Sequence, residues 1–213
     1  MSAKKTARPR SRALTPDRSP LPPAPAQHSV AIANHHPRLR LDRRAITRAL
    51  HLLDSEFPKS KIENRKLVRR SLGEGGSKIP AAPAGELSLV FLTDTALAQL
   101  HADFLADPTP TDVITFAGDP ALGTAGEICV SVDAAIRHLA PRRRSTLRSP
   151  LSALSSFSNE LTLYLVHGWL HLAGYDDLKP EKKRVMRRAE ARALRLLARA
   201  GALPKFTLRA APT

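Results

Sequence analysis

The sequence predicts an α/β fold, a small mixed β-sheet layered with helices, with a metal site at the end of a buried helix. Three observations lead there. Short apolar runs at 87–92, 112–116 and 126–132 have the length and residue types of strands. Segments of helical periodicity alternate with them. An almost entirely apolar stretch at 159–173 reads as a helix buried against the sheet, and an arginine-rich helix over about 180–200 follows it.

Taken in order, residues 1–37 mix Lys4, Lys5, Arg8, Arg10, Arg12 and Arg18 with Pro9, Pro16, Pro20, Pro22, Pro23 and Pro25. Such a segment buries too little to offset its ordering entropy, so it reads as a disordered basic tail. The domain is expected over 38–202, with a C-terminal tail over 203–213. Ile46, Ala49, Leu50 and Leu53 recur at helical spacing behind Asp42, predicting an amphipathic helix over 42–55 with Asp42 in its first turn. Ile62, Leu67 and Val68 suggest a further short element, and Gly73, Gly75, Gly76, Pro80 and Pro83 a long loop. After the strand at 87–92, Thr93 or Asp94 caps a helix over 95–104. Asp107-Pro108 turns the chain into the strand at 112–116, and a short helix over 134–139 follows the strand at 126–132. In the last helix Val185, Met186, Ala189, Ala193, Leu196 and Leu197 form one apolar face.

The chain has 213 residues, 42% of them hydrophobic, enough for one cored domain. Its one cysteine, Cys129, lies in an apolar run, which excludes an intrachain disulfide and suits a buried thiol in a reducing compartment. No run approaches the roughly 20 apolar residues of a membrane span, and no apolar core follows the basic N-terminus as in a signal peptide, so a cytoplasmic, non-membrane protein is expected. A net charge of +15 favours polyanionic partners. That charge is peripheral: from Ala81 to Ile136 there is no Lys or Arg, while Glu86, Asp94, Asp103, Asp107, Asp112, Asp119, Glu127 and Asp133 supply eight acids.

The chemistry centres on His167 and His171. Spaced i, i+4, they share one face of the buried helix within reach of one ion. The alternative for histidines on an apolar helix is hydrogen-bonded packing. Here, though, Gly174 can end the helix in the left-handed conformation and double the chain back. That return brings Asp177 to the open side, for two imidazoles, a carboxylate and a free fourth position, as hydrolytic metals need.

His167-Gly-Trp-Leu-His-Leu-Ala-Gly-Tyr-Asp176 resembles the signature HGxLHLxGYDH of the YbeY family of endoribonucleases and rRNA maturation factors. Pro110-Thr-Asp-Val-Ile-Thr-Phe116 is similar to the family's PTDVLSF, and Gly126-Glu-Ile-Cys-Val-Ser131 to its GDIxIS strand. Leu87 to Leu100, Glu160, Met186 and Glu190 fall in the family's order. The resemblance covers about 40–202. It implies a single α/β domain, one zinc ion (Zn2+) per chain, and single-strand-specific endoribonuclease activity that matures the 3′ end of small-subunit rRNA in ribosome biogenesis. Its implied partners are single-stranded rRNA and the small ribosomal subunit.

Two positions depart from the family. Asp177 stands where a third histidine is usual; it remains a competent zinc ligand but adds a negative charge. Leu105 stands where an arginine is usual, so a cation for the developing phosphoryl charge must come from elsewhere, with Arg137 and Arg142 to Arg144 as candidates. Asp112 is the candidate catalytic carboxylate, orienting a water, against a plain turn-capping role. Trp169 and Tyr175 could stack on a base or simply pack, and Asp176 is expected to hold the turn or contact a ligand histidine. Gly168 argues against a zincin peptidase, which carries its general-base Glu at that place. The rival of another class is a ribosome-associated RNA-binding factor with a structural metal. The final helix, with Lys182, Lys183, Arg184, Arg187, Arg188, Arg192, Arg195 and Arg199, is either a phosphate-binding face or a solvated one.

Overall fold

The protein is described as a computed structural model covering residues 29–58, 84–139 and 150–210. Four strands form the main sheet: β1 (Ser29–Asn34), β3 (Glu86–Leu92), β5 (Thr124–Ser131) and β4 (Val113–Ala117), side by side in that order. β1, β3 and β5 run parallel, while the edge strand β4 is antiparallel to β5. A separate two-stranded ribbon pairs β2 (Leu39–Leu41) antiparallel with β6 (Phe206–Leu208). The fold is the expected mixed α/β arrangement.

Both expected tails need correction. β1 lies inside the stretch read as a disordered tail, and β6 inside the one read as a C-terminal tail. β1 is an edge strand whose apolar residues, Val30 and Ile32, are only partly buried, so its pattern is too faint to stand out. β6 has three residues, of which Phe206 alone is buried. The expected short element at Ile62 to Val68, the loop at 73–83, Arg142 to Arg144 and residues 1–28 lie outside the described residues.

Alternation along the central strands sorts the core into two faces. Cys129, Ile114 and Leu92 meet Leu97 of α2 (Asp94–Leu105) on one face. Leu89, Phe91, Ile128 and Val130 meet the other layer, built from α1 (Arg43–Glu56), α4 (Pro150–Leu172) and α5 (Pro180–Arg199). α3 (Val132–Leu139) follows β5 and packs on α4. Asp42 is the N-cap of α1 rather than a first-turn residue, accepting from the Arg44 and Ala45 amides at 2.9 and 3.2 Å. Thr93 caps α2 through the Ala96 amide. α4 begins at Pro150, earlier than the apolar stretch suggests, because serines occupy much of its first turns.

α4 carries the histidines and lies against the sheet at Gly168. A Cβ placed there would stand 2.6 Å from Ile128 Cγ2, 3.2 Å from Thr115 Cγ2 and 3.3 Å from Val113 Cγ2. Those are branched methyls, one on a fully buried side chain. Gly168→Ala should therefore be net destabilising. Overpacking costs about 1–3 kcal/mol, against a helix-propensity gain of about 1 kcal/mol. Urea unfolding should show a lowered midpoint; an unchanged or raised one would mean that the helix moves off the sheet freely.

Cys129 is buried, and its Sγ–H donates to Glu127 Oε1 at 3.3 Å. Burial, aided by the neighbouring carboxylate, pushes the thiol up to about 12, as expected of a structural rather than a reactive cysteine.

Candidate metal centre

The last turn of α4 and the residues after it build the site. Gly174 adopts φ +89, a conformation open to glycine, and the Tyr175 amide donates back to the Leu170 carbonyl at 2.9 Å. The chain reverses there. Asp176 anchors the reversed segment by accepting from the Leu178 amide at 2.9 Å and pairing with Lys182. The Lys182 ammonium, then the Leu178 amide, hold its carboxyl below the usual range. Asp176 therefore secures the turn, and Asp177 is left facing the histidines.

His167, His171 and Asp177 each present one ligand atom, all within 4.8 Å of one another. Between Nε2 atoms the histidines are 2.9 Å apart, and His171 Nε2 is 3.8 Å from Asp177 Oδ1. All three side chains are half-buried.

What surrounds the rings decides their proton positions. His171 Nδ1 lies 3.1 Å from the Tyr175 carbonyl oxygen, which can only accept, so Nδ1 carries the proton. His167 Nδ1 lies 2.7 Å from Glu190 Oε1 on α5, and donates to that carboxylate. Each neutral ring then turns its Nε2 lone pair on the other. Two lone pairs at that distance repel, so the contact calls for a cation, either a proton on one Nε2 or a metal ion bound by both. Burial depresses His167, but the Glu190 carboxylate, with Asp177 and Asp112, outweighs it and holds the imidazole above its ordinary value. Burial and then the neighbouring His167 push His171 down, against Asp177 and the Tyr175 carbonyl.

Glu190 is the functional residue that sequence reasoning noted only as a positional match. Its role depends on α5 folding back across α4, which no local pattern announces. An outer carboxylate fixing a ligand imidazole is a recurrent feature of metal sites.

Asp112 precedes β4 and is exposed, outside the three-residue group. Its Oδ1 accepts from the Val113 amide at 3.0 Å, a turn contact, while its charge is felt at both His167 and Tyr164. Trp169 is fully buried, donating Nε1–H to Asp54 Oδ1 at 2.9 Å, and Tyr175 is 5% exposed. Both pack edge-on against Phe57 at centroid distances of 5.3 and 6.4 Å, so neither offers a face to a base. Arg137 forms an ion pair with Asp94. Leu105 ends α2, and its side chain lies outside the described residues.

The family model described as Endoribonuclease YbeY matches residues 52–198. The chain is 40% identical over 117 residues to the endoribonuclease YbeY of Chlamydia abortus, covering 53% of this chain and 69% of that protein. Against that of Chlamydia pneumoniae the identity is 41% over 123 residues, covering 55% and 73%. Against that of Lysinibacillus sphaericus it is 35% over 127 residues, covering 58% and 80%. A Thermotoga maritima protein with a solution structure aligns over 82% of this chain and 93% of its own, with a TM-score of 0.45 and 16% identity. With the matched segment spanning β3 to α5 and all three members of the His/His/Asp group, the chain belongs to the endoribonuclease YbeY family.

Proposed function

We propose that the protein is a zinc-dependent endoribonuclease that cuts single-stranded RNA, acting in the cytoplasm on the 3′ end of small-subunit rRNA during ribosome biogenesis. The observation that carries this reading is the facing pair of Nε2 atoms, each ring fixed from behind, with Asp177 beside them. The donor set fits zinc: two imidazole nitrogens and a carboxylate oxygen leave one position of a tetrahedral ion open. Bound there, zinc would supply Lewis acidity toward a phosphodiester oxygen or an attacking water.

The chain's own residues do the rest. Glu190 and the Tyr175 carbonyl hold the imidazoles in the tautomer that binds metal. Asp112, exposed beside β4 and with its charge felt at His167, is the candidate to accept a proton from, or orient, a water near the site. Gly168 stands where a zincin peptidase carries its general-base Glu, which speaks against the peptidase alternative. Among the described residues no helix is long and apolar enough to cross a membrane.

A second reading, an RNA-binding factor of the ribosome with a structural metal, draws on Leu105 and on the engagement of Arg137 by Asp94, which leaves that cation partly neutralised. One variant separates the two. His171→Ala in the full chain should lose cleavage of an unstructured oligoribonucleotide while keeping affinity for it. Wild type that binds zinc and RNA but never cuts would instead establish the binding factor, and unfolding of the variant would make the metal structural.

A further inference from the structure

Eight of the 20 residues of α5 are Lys or Arg, against two acids. Most of the basic side chains have no partner among the described residues. Lys182 is committed to Asp176, and the Arg192 guanidinium lies 3.5 Å from the centroid of the Phe57 ring. Glu190 is turned to His167, and Glu181 stands in the first turn. Lys183, Arg184, Arg187, Arg188, Arg195 and Arg199 are all exposed, and none forms an ion pair among the described residues.

Their placement is ordered. At 3.6 residues per turn, Arg184, Arg188, Arg195 and Arg199 fall within an arc of about 60° and extend over about 22 Å of helix axis. Val185, Met186, Ala189, Ala193 and Leu197 are buried on the other side. Within the helix Arg184 and Arg188, like Arg195 and Arg199, are like-charge i, i+4 neighbours that destabilise it slightly. An elongated polyanion relieves that repulsion. Guanidinium forks suit phosphate oxygens, and the small Ala191 and Ala198 beside the stripe leave room for a backbone to approach. A membrane-surface helix would need its apolar face free, and here the core holds that face. Lys183 and Arg187 lie on the Glu190 side of the helix, seven and three residues before it, and so join the stripe to the metal group.

We infer that the outer face of α5 is a phosphate track that holds single-stranded RNA and leads it to the His167, His171 and Asp177 group. The partner class rests on the RNA-hydrolase reading above; the surface rests on the unpaired arginines. The track acts by charge along a line, and its signature is the salt dependence of binding.

The test is fluorescence anisotropy with a labelled, unstructured oligoribonucleotide of about 16 nucleotides, on the full chain carrying Arg184→Gln, Arg188→Gln, Arg195→Gln and Arg199→Gln together. Glutamine keeps helix propensity, so circular dichroism and zinc content should match wild type. Binding at about 50 mM salt should weaken about tenfold or more, and the slope of log affinity against log salt should flatten by about 3, as expected for four lost phosphate contacts at about 0.7 each. The matching four Arg→Lys changes should keep the wild-type slope. Wild type that cuts RNA beside a glutamine variant with unchanged affinity and slope would overturn the track and leave the hydrolase reading standing. Glutamine changes that spare RNA binding but abolish sedimentation with anionic phospholipid vesicles would overturn it in favour of a lipid surface. Wild type that neither binds nor cuts RNA would overturn both readings.

Discussion

Asp177→Ala protein should bind zinc at least about 10–100-fold more weakly than wild type, the loss typical of removing even an outer-shell partner, and its RNA cleavage should fall with the metal. The reason is the donor count. Without the carboxylate, only the two imidazoles of α4 remain, and zinc sites rarely hold with two protein ligands. Elemental mass spectrometry of dialysed, tag-free protein checks it directly. Asp177→His, which restores the third imidazole usual in the family, should keep about one ion per chain. Unchanged zinc in the alanine variant would remove Asp177 from the ligand set. The fold should survive either change, because Asp177 is partly exposed and the turn is held by Asp176 through Leu178 and Lys182.

Trp169→Ala should be among the most destabilising single changes in the chain, at about 3–5 kcal/mol, the usual cost of truncating a large buried aromatic. Its side chain is fully buried, meets Phe57 edge-on, and spends its one N–H on Asp54. For a domain of this size the loss corresponds to a fall in melting temperature on the order of 10 °C. Thermal unfolding of the apo protein, where zinc cannot mask the difference, is the measurement. A loss under about 1 kcal/mol would mean that neighbouring side chains collapse into the space, and that the stretch of α4 between the two histidines is not held by this packing.

The clustering of His167, His171 and Asp177 was legible in the sequence because it is local. His167, His171, Gly174 and Asp177 fall within one helix end and one turn, where helical spacing and glycine chemistry are enough to place side chains. The central strands were legible for the same reason, their apolar runs being long and nearly unbroken. What stayed hidden depends on contacts between distant segments. Glu190 reaches His167 only because α5 packs on α4, and the ring tautomers follow from that contact and from the Tyr175 carbonyl. β1 and β6 escaped notice because a partly buried edge strand and a strand of three residues carry little periodicity. Gly168 was legible as the absence of a general base, but its packing against Ile128 was not, since the sequence does not say which strand the helix crosses.

The pairing of β2 with β6 also sets an order of events during synthesis. β2 is made well before its strand partner β6, and Ser158 waits to exchange hydrogen bonds with the Phe206 backbone at 3.0 Å. Glu190 is likewise delivered after the histidine it orients. A nascent chain can therefore assemble its central strands while His167 is still without the carboxylate that orients it. His167 is fully braced only once α5 has been made and has folded back on α4, which couples maturation of the site to synthesis of a segment beyond it.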